Sequence, residues 1–532
     1  MPAFRKDGLL TLILEYFIIS AINLLRKYTL TVSGKDDSKP SRSLTRLEAN
    51  WLFVLAWIFL SYTFLSNVLQ KFFDGDIYHM LSAGKAIAGQ GVIKEDVFFL
   101  NSGHKIVIQQ WLYDLVVYEV YGNLGKIGIL LFTILLSLVF IFLAIRVMRY
   151  YGVDLRLAWT GVLAVCAFYN TVFTIRPGLF TLILLLLQIC FCEKHIKTGK
   201  SFYLYFLPLI MILEINFHAS MWIAHLIFLL PYLVPIPAFA KKYVKLEDHH
   251  ISIKKAALPI VCMIAGLFIN PYGMDGITIL FKQKEISSLG IMELRSPELS
   301  SKFSIVMVVV LIIFAFLYGK IKIHSSTAFL FLGTSVMLVA NLRNIQMYAI
   351  GLIAVMCDLL CAIPLPKLDK ILGKTSKVLV VLCALLTVVL IFTSAVKLPY
   401  SLIFRDQPSD SVRTPVDAVE YLEANASKDS RIYTEFNGGA YVSWKGYKIY
   451  FCSRTEGYCK AVNGGYDLIG EYLSIYRNAS ASGNDTFSEF LSEYNFEYLI
   501  VEVNNRLFPY MATRDDYEPV VNGNGYVVFK AK

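Results

Sequence analysis

The feature that most constrains this chain is a series of separate apolar runs, each close to the length that crosses a bilayer. Hydrophobic residues make up 56% of the 532 residues and charged residues only 17%, whereas a soluble protein is roughly 45–50% apolar and about 25% charged. A membrane-crossing helix needs about 20 apolar residues, so the runs predict a polytopic α-helical membrane protein with about eleven spans. The predicted spans are 49–69, 126–146, 157–175, 178–193, 203–217, 219–236, 257–271, 304–319, 327–343, 346–364 and 378–396.

Lysine and arginine cluster in alternate loops between these runs, and cytoplasmic loops carry such an excess. The basic loops are 26–46, 146–156, 194–200, 241–255, 320–322 and 367–377. This pattern places the segments 70–125 and 272–303, and the chain from about 397 onward, outside the cytoplasm. The net charge of +10 is accounted for by the loops and forms no basic stripe interleaved with aromatic residues. The predicted partner is therefore the lipid bilayer of a cell membrane and not nucleic acid.

Three parts of the chain follow from this pattern. Residues 1–48 form an N-terminal extension in which 8–25 is either an extra transmembrane helix or a helix lying on the cytoplasmic face. Residues 49–397 form the transmembrane domain, with the long first outer loop 70–125. Residues 398–532 form an extracytoplasmic domain whose patterning alternates between strands and helices, which is typical of a small α/β domain.

In the C-terminal domain the pattern predicts individual helices and strands but does not indicate a catalytic site. The predicted helices are 416–424, 467–477 and 486–494, and the predicted strands are 431–436, 447–453, 498–503, 518–522 and 525–530. Nucleotide-binding glycine motifs and the G-x-S-x-G nucleophile motif are absent from this sequence. Cys452 and Cys459 lie close enough in sequence for a disulfide, and at this stage a disulfide and two free thiols both remain open.

A short acidic loop follows the first predicted span. Asp74 and Asp76 flank a single glycine, and His79 comes three residues later. The free energy of placing a carboxylate is high within the hydrocarbon of the bilayer and low just outside it. This loop is therefore a candidate site for chemistry at the membrane surface. Further along the same loop, 106–121 has the apolar spacing of a helix lying in the membrane interface.

Other polar residues collect in the predicted outer loops and at the outer ends of the predicted spans. They are Asp96, Gln110, Trp111, Arg176, Asn216, His218, Arg295 and Arg343. Each alone is an ordinary residue for a helix junction. Their placement on one predicted face indicates a site for an anionic lipid headgroup and a polar acceptor, because the planar guanidinium of arginine donates paired hydrogen bonds to phosphate.

The sequence Asp76-Ile-Tyr-His79-Met-Leu-Ser-Ala-Gly84 resembles the first-outer-loop motif of bacterial membrane transferases of the glycosyltransferase-C superfamily, such as protein O-mannosyltransferases and aminoarabinose transferases. The order of further motifs also resembles that superfamily. These are Gly91, Asp96-Val-Phe-Phe, Gly103, Gln110-Trp111-Leu112, Arg176-Pro177, Asn216-Phe-His218, Asn270-Pro271-Tyr272-Gly273, Arg343, and Gly438-Gly439-Ala-Tyr441 with Trp444 and Ser453-Arg454.

The resemblance implies an inverting hexosyl- or pentosyltransferase that moves a sugar from a polyprenyl-phosphate-linked donor to a hydroxyl of a glycan, lipid or protein acceptor. It implies Asp76, with its neighbour Asp74, as the catalytic acid–base group, since attack by a hydroxyl requires a base within reach. Arg176, Arg295 and Arg343 are the predicted ligands of the donor phosphate. The predicted substrate-binding residues are His79, Asp96, Gln110, Trp111, Asn216 and His218.

No cofactor and no metal ligands are predicted. The Asp74-Gly75-Asp76 spacing nevertheless matches the D-x-D pattern that holds a divalent metal in many sugar transferases, so binding of a metal remains an open alternative.

Two other functions also remain open. One is a lipid-linked glycan flippase or transporter, which the scarcity of ionisable residues deep in the spans disfavours. The other is a polysaccharide polymerase or ligase, which differs in its acceptor.

Overall fold

The computed structural model describes residues 40–71, 73, 75–100, 103–291, 294–373, 385, 414–478, 485–523 and 525–532. The described residues fall into two compact units, one that contains 40–54 and 364–373 and another that contains the described residues of 55–363 and 385–532. The predicted helix 8–25, residue Asp74 and, apart from Leu385, the predicted span 378–396 lie outside the described residues.

Helices form at every predicted span that the structure describes. In chain order the helices before residue 374 are α1 (Pro40–Lys71), α2 (Ile77–Gln90), α3 (Trp111–Tyr150), α4 (Leu155–Phe168), α5 (Pro177–Thr198), α6 (Leu207–Phe217), α7 (Trp222–Leu233), α8 (Ile253–Gly266), α9 (Met274–Lys282), α10 (Lys302–Leu317), α11 (Ser325–Ala340), α12 (Ile345–Cys361) and α13 (Leu365–Gly373). Short 3₁₀ turns join several of them, including Leu342–Asn344 just before α12.

Within the part of the chain that the structure describes, four helical stretches are long and apolar enough to cross a membrane, and they identify a membrane protein. They are Trp51–Leu69, Trp111–Tyr150, Pro177–Thr198 and Leu342–Cys361. Five shorter apolar helical stretches accompany them. The total of eleven crossings and the side of the membrane on which each loop lies stay predictions.

Helix α3 consists of two helical segments that meet at Gly125. The backbone of Gly125 is not helical, with φ 61° and ψ −152°, a conformation that glycine adopts readily because it lacks a Cβ. The predicted division between a helix near 106–121 and a span at 126–146 is therefore confirmed, although the first segment begins at Trp111. Its place in the membrane interface stays a prediction.

Close contact between α2 and α3 depends on a second glycine. A Cβ added to Gly84 would lie 2.3 Å from the main-chain oxygen of Asp114, which is main chain and cannot rotate away. Glycine at this position lets the two helices touch backbone to backbone. Because α2 begins directly after Asp76, this contact fixes the position of the acidic loop against α3.

The C-terminal region carries a four-stranded sheet. Its strands are β1 (Ile432–Tyr433), β2 (Tyr498–Glu502), β3 (Tyr517–Gly523) and β4 (Tyr526–Ala531), in the order β1-β2-β4-β3. Strands β1 and β2 are parallel and the other pairs are antiparallel. Its helices are α14 (Val416–Asn425), α15 (Gly439–Trp444), α16 (Lys460–Asn463), α17 (Leu468–Asn478), α18 (Asp485–Tyr494) and α19 (Leu507–Met511).

The strand predicted at 447–453 is wrong. Only Ile449 makes ladder contacts there, as isolated parallel bridges to Ile432 and to Phe99. Two main-chain hydrogen bonds join Ile449 to the segment that contains Phe99. Leu100 N donates to Ile449 O (3.1 Å), and Ile449 N donates to Phe98 O (3.0 Å). Part of the first loop thus occupies the place of a strand neighbour, which the local sequence pattern does not reveal.

Aromatic contacts complete the attachment of the C-terminal region to the first loop. Tyr78 of α2 meets Tyr441 of α15 edge to face at 4.8 Å between ring centroids. Phe99 packs against Tyr458 at 4.3 Å. Aromatic pairs of this kind add stability beyond the area they bury, so the C-terminal region is bonded directly to the segment that carries Asp76.

Candidate active site at Asp76

Asp76 and Arg176 form the centre of the candidate site. Their side chains make an ion pair of 2.5 Å, and they retain 34% and 38% exposure respectively. Asp76 precedes the first residue of α2, yet its side chain accepts no capping hydrogen bond from that helix. The carboxylate is therefore turned toward Arg176 and an accessible space and is not used to cap its own helix.

Local sequence explains why Arg176 points where it does. Pro177 is the first residue of α5, and Arg176 before it is extended, with φ −85° and ψ 151°. Proline disfavours helical geometry in the preceding residue and is favoured at the first helical position. The hydroxyl of Tyr113 donates to the main-chain oxygen of Ile175 at 2.9 Å, which fixes the turn that presents the guanidinium.

The surroundings of Asp76 favour its ionised form. Burial alone would raise the pKa of Asp76, but Arg176, then His79, a side-chain hydrogen bond from Ser453, and Arg343 act in the opposite sense. The net pKa lies below the ordinary value for aspartate. Asp76 is therefore a carboxylate at neutral pH and able to accept a proton.

His79 lies one helical turn after Asp76 and is neutral. Burial lowers its pKa to about 4, against the raising influence of Asp76 and with further lowering by Arg454 and Arg176. Its Nδ1 lies 3.4 Å from the hydroxyl of Ser453. A neutral imidazole here is a hydrogen-bonding group and not a second cation beside Arg176.

The two remaining predicted phosphate ligands are Arg343 and Arg295. The charge of Arg343 influences Asp76, whereas the side chain of Arg295 hydrogen-bonds to another part of the chain. Arg343, exposed on the turn before α12, exerts a charge effect on Asp76 and on His218. The main-chain oxygen of Arg295 accepts from Leu342 N at 2.8 Å, so the two arginines lie on adjoining backbone. The side chain of Arg295, however, donates to Gly290 O at 3.4 Å.

Three predicted substrate-binding residues make contacts that brace the helices. The indole nitrogen of Trp111 donates to the side-chain oxygen of Asn216 at 3.1 Å, and the Asn216 amide donates to Ile212 O and Ile269 O, each at 2.8 Å. The buried amide of Gln110 donates to Asp114 at 2.8 Å. Direct substrate binding by these residues stays a prediction.

Asp96 belongs to a buried polar group at the junction with the C-terminal region. One of its oxygens accepts from Phe98 N (2.7 Å) and Phe99 N (3.1 Å), and the other is buried without a partner among the described residues. Burial raises its pKa to about 6, against the lowering effect of those hydrogen bonds and of Arg454. Asp96 is 2% exposed, and direct contact with a substrate by this residue stays a prediction.

The structure adds residues that sequence reasoning did not assign to the site. Arg454 of the C-terminal region donates to the main-chain oxygen of His79, and Ser453 lies beside the His79 ring. Both had appeared only within a motif of the C-terminal domain. Their distance from Asp76 in the sequence leaves no local signal of this contact.

A buried polar chain extends from His218 into the helices. The hydroxyl of Thr181 donates to Glu214 at 2.6 Å and accepts from His218 Nδ1 at 2.9 Å. The other Glu214 oxygen lies 3.1 Å from His225 Nε2. The Gln188 amide nitrogen donates to the His225 main-chain oxygen, so its side-chain oxygen accepts from His225 Nδ1 at 2.9 Å.

Among the described residues no cluster of three or more histidine, cysteine, aspartate or glutamate side chains is arranged to hold a metal. Asp74, the first aspartate of the D-x-D pattern, is not one of those residues. Cys452 and Cys459 are free thiols, which resolves the alternative left open by their spacing.

Comparison with solved structures identifies the architecture. The crystal structure of the Archaeoglobus fulgidus oligosaccharyltransferase in the apo form aligns with a TM-score of 0.55 at 10% identity, covering 84% of this chain and 69% of that one. AglB from the same organism, in complex with an inhibitory peptide and a dolichol-phosphate, aligns at 0.51 and 9% identity over 84% and 69%. The chain shares the fold of these oligosaccharyltransferase structures.

This result confirms the predicted resemblance to the glycosyltransferase-C superfamily at the level of fold. ArnT from Cupriavidus metallidurans also aligns, over 90% of this chain and 97% of that one, at 11% identity. Its TM-score of 0.47 is too low to establish a shared fold. No protein-family model and no curated protein sequence matches the chain. The chemistry of this glycosyltransferase-C fold must therefore be argued from its own residues.

Proposed function

We propose that this protein is an inverting glycosyltransferase that moves a sugar from a polyprenyl-phosphate-linked donor to an acceptor hydroxyl at the extracytoplasmic surface of the membrane. The observation that carries the proposal is the accessible Asp76–Arg176 pair. It supplies a base and a phosphate ligand side by side, just after the helix that contains the apolar stretch Trp51–Leu69.

The reaction is a single displacement. The acceptor hydroxyl attacks the anomeric carbon on the face opposite the phosphate and gives its proton to Asp76. The bond between that carbon and the phosphate oxygen breaks, and polyprenyl phosphate leaves with the bonding electrons. Positioned cations stabilise charge that develops on a leaving group, and Arg176 and Arg343 fill that role here.

The resting ion pair has a consequence for the base. Arg176 favours the charged form of Asp76, which makes the free carboxylate a weak base. A donor phosphate that takes hydrogen bonds from Arg176 withdraws part of that stabilisation, so the basicity of Asp76 rises when the donor is bound. Asp76 then becomes most reactive in the complex where a base is needed.

The test is transfer by the purified full chain, supplied with a panel of polyprenyl-phosphate sugars and acceptors, compared between wild type and Asp76→Asn. General-base catalysis typically contributes about 10²–10⁴ in rate, so the variant is expected to lose at least about 100-fold in turnover while it still binds donor. Asp429→Asn, an exposed aspartate of the C-terminal region, is the matched control and is expected to match wild type. Turnover by Asp76→Asn at the wild-type rate would exclude Asp76 as the base.

The same preparation separates the alternative functions. A polymerase gives products whose chain length increases, whereas a single-sugar transferase gives one product. Movement of lipid-linked glycan across a vesicle membrane, without sugar transfer to any acceptor, would favour a flippase. The Glu214–His225 pair is one feature of the described helices that such transport could use, because ionisable residues within spans mark transport pathways.

A further inference from the structure

A chain of buried hydrogen bonds holds the imidazole of His218 at the junction between α6 and α7. The hydroxyl of Thr181 donates to Glu214 at 2.6 Å and accepts from His218 Nδ1 at 2.9 Å. We propose that Thr181, whose hydroxyl is directed to Glu214, is a positioning residue that holds His218 with an unprotonated Nε2 as the acceptor for a substrate hydroxyl. This inference rests on the proposed function and extends it to the recognition of the substrate.

The hydrogen bonds of Thr181 determine which nitrogen of His218 carries the proton. A hydroxyl has a single hydrogen, and that of Thr181 is directed to the side-chain oxygen of Glu214. The hydrogen between Thr181 and His218 must therefore belong to Nδ1. A neutral imidazole has one N–H and one acceptor nitrogen, so Nε2 of His218 is the acceptor.

The Nε2 atom of His218 is unprotonated and open to a ligand. Burial lowers the pKa of His218 to about 4, against the raising influence of Glu214 and with further lowering by Arg343. The imidazole is therefore neutral near pH 7. No described residue hydrogen-bonds to Nε2, and this nitrogen does not belong to the fully enclosed side-chain atoms of those residues that lack a partner, so it borders accessible space.

Packing at the start of α5 places His218 at the same end of that helix as Arg176. Thr181 lies five residues after Arg176, which is about 7.5 Å along the axis of α5. The rings of Phe180 and Phe217, which precede Thr181 and His218, stack at 4.3 Å between centroids. A ring contact and a hydrogen bond together thus fix His218 against the first turns of α5.

The start of α12 lies against the same end of α5. The side-chain oxygen of Gln346 approaches Gly178 so closely that an added Cβ would lie 2.4 Å from it. Three residues before Gln346, Arg343 exerts a charge effect on both Asp76 and His218. His218 therefore lies at the end of the helices that carries the proposed phosphate ligands.

An unprotonated nitrogen restricts the chemistry of its ligand. The oxygens of an ionised phosphate only accept hydrogen bonds, so the donor phosphate is not a partner for Nε2 of His218. A hydroxyl can donate to this nitrogen, and the lipid-linked sugar and the acceptor substrate of the proposed reaction both carry hydroxyls. A site built to hydrogen-bond a hydroxyl discriminates against an analogue that lacks it. His218 is therefore expected to act in the selection of the substrate.

The first measurement needs no substrate. NMR of the full chain labelled with ¹⁵N-histidine distinguishes a protonated from an unprotonated ring nitrogen, and the spectrum of His218→Gln identifies the His218 signals by their loss. At pH 7.5 wild type is expected to show a protonated Nδ1 and an unprotonated Nε2. Thr181→Val should increase the population protonated on Nε2, because the N–H at Nδ1 loses its acceptor. A wild-type His218 that is protonated on Nε2 would overturn the inference, whether or not Thr181→Val folds.

Two further variants separate the Thr181 hydroxyl from a general effect on folding. Thr181→Ser keeps the hydroxyl and should keep the wild-type tautomer of His218. Thr198→Val, at an exposed threonine of the same helix whose hydroxyl donates to Lys194 O at 2.7 Å, should also give the wild-type spectrum. An unchanged tautomer in folded Thr181→Val would show that Thr181 does not position His218.

The second measurement identifies the hydroxyl. It uses the donor and acceptor that support turnover, together with deoxy analogues of each that keep the attacking hydroxyl. One analogue is expected to lower kcat/KM in wild type by roughly three- to tenfold, the effect of one neutral hydrogen bond. This penalty should disappear in Thr181→Val and remain in Thr181→Ser.

The affected analogue distinguishes the two sources of the hydroxyl. A penalty with a donor analogue assigns the contact to the lipid-linked sugar, and a penalty with an acceptor analogue assigns it to the acceptor substrate. Penalties that are equal in wild type and Thr181→Val for every analogue would overturn the inference, because a purely structural role lowers activity with all substrates alike.

The two proposals fail in different ways. Turnover that depends on Asp76, with analogue penalties that do not depend on Thr181, would overturn the positioning role and leave the transferase in place. Absence of turnover with the whole panel would count against the proposed function, and the NMR spectra would still decide whether Thr181 fixes the tautomer of His218.

Discussion

At the scale of single residues, the site is defined by one carboxylate and the cations around it. Asp76 and Arg176 are each about one-third exposed, and an exposed ion pair contributes little to folding stability. The pair is therefore better explained by chemistry than by structure. Its principal effect is on proton affinity, since Arg176 is the largest influence that lowers the Asp76 pKa.

Replacement of Arg176 by glutamine is expected to change the pH profile and donor binding together. Without the guanidinium the pKa of Asp76 rises, so the acid limb of kcat/KM moves to higher pH, and the KM of the donor increases because a phosphate ligand is lost. Arg506→Gln, at an exposed arginine of the C-terminal region, is the control. A profile for Arg176→Gln that superimposes on wild type would show that Arg176 does not act on the base.

At the scale of helices, the packing of α5, α6 and α7 depends on the buried chain around Glu214. Glu214, Thr181 and His225 are each 0% exposed, and the three lie on three different helices. Apolar surfaces alone specify neither the rotation nor the register of neighbouring helices. The hydrogen bonds from Glu214 to Thr181 and His225 do specify them, because each donor must face its acceptor.

Replacement of Glu214 by alanine is expected to destabilise this helix packing strongly. Without the carboxylate, the buried polar groups of Thr181 and His225 lose their hydrogen-bond partner, and each unsatisfied buried group costs about 1–3 kcal/mol. Glu214→Gln keeps one acceptor and should cost less. Thermal unfolding in detergent measures the stability of both variants, and Glu420→Ala, at an exposed position of α14, is the control. Equal unfolding midpoints for wild type and Glu214→Ala would contradict the expectation.

Sequence patterns located the helices well because a bilayer imposes a length and an apolar composition on each. They also located Asp76 and Arg176, since a carboxylate after an apolar run and an Arg-Pro pair before one are local signals. The role of Asn216 was harder to predict, because a polar residue at a junction has the same pattern whether it binds substrate or braces a helix. The contact of Ser453 with His79 has no local signal, since the two residues lie far apart in sequence.

At the scale of the whole molecule, the C-terminal region and the first loop form one continuous structure around Asp96. The charge of this aspartate is buried at the junction, and its second oxygen has no partner among the described residues. Burial of a charge is costly, and here its effect exceeds the stabilisation that Arg454 and the two main-chain donors give to the charged form. The junction is therefore more stable when Asp96 is protonated.

Asp96→Asn is expected to stabilise the protein at neutral pH. Burial raises the pKa of Asp96 to about 6, so the folded state holds a proton that the unfolded chain releases near pH 4. Stability is greatest below the unfolded pKa and falls as pH rises through 6, by about 3 kcal/mol for a shift of about two units. Asparagine keeps the acceptor for Phe98 N and Phe99 N but carries no charge.

Thermal unfolding at pH 4 and pH 7.5 checks this expectation. The difference between the two midpoints should be smaller in Asp96→Asn than in wild type, and the variant should have the higher midpoint at pH 7.5. Asp429→Asn, exposed in the same region, should behave as wild type. An Asp96→Asn protein that is less stable at pH 7.5 would show that the carboxylate is stabilising in its charged form.

The bridge between Phe99 and Ile449 also bears on the order in which the molecule is made. A ribosome completes the first loop, and then every helix from α3 to α12, before it reaches Ile449. Throughout that time the loop lacks its strand partner, and His79 lacks its contacts with Ser453 and Arg454. Contacts between segments so distant in sequence form slowly because a large loop must close first. A nascent chain can therefore be fully inserted in the membrane while the surroundings of Asp76 are still incomplete, and the candidate site is complete only when the C-terminal region has folded back onto the loop.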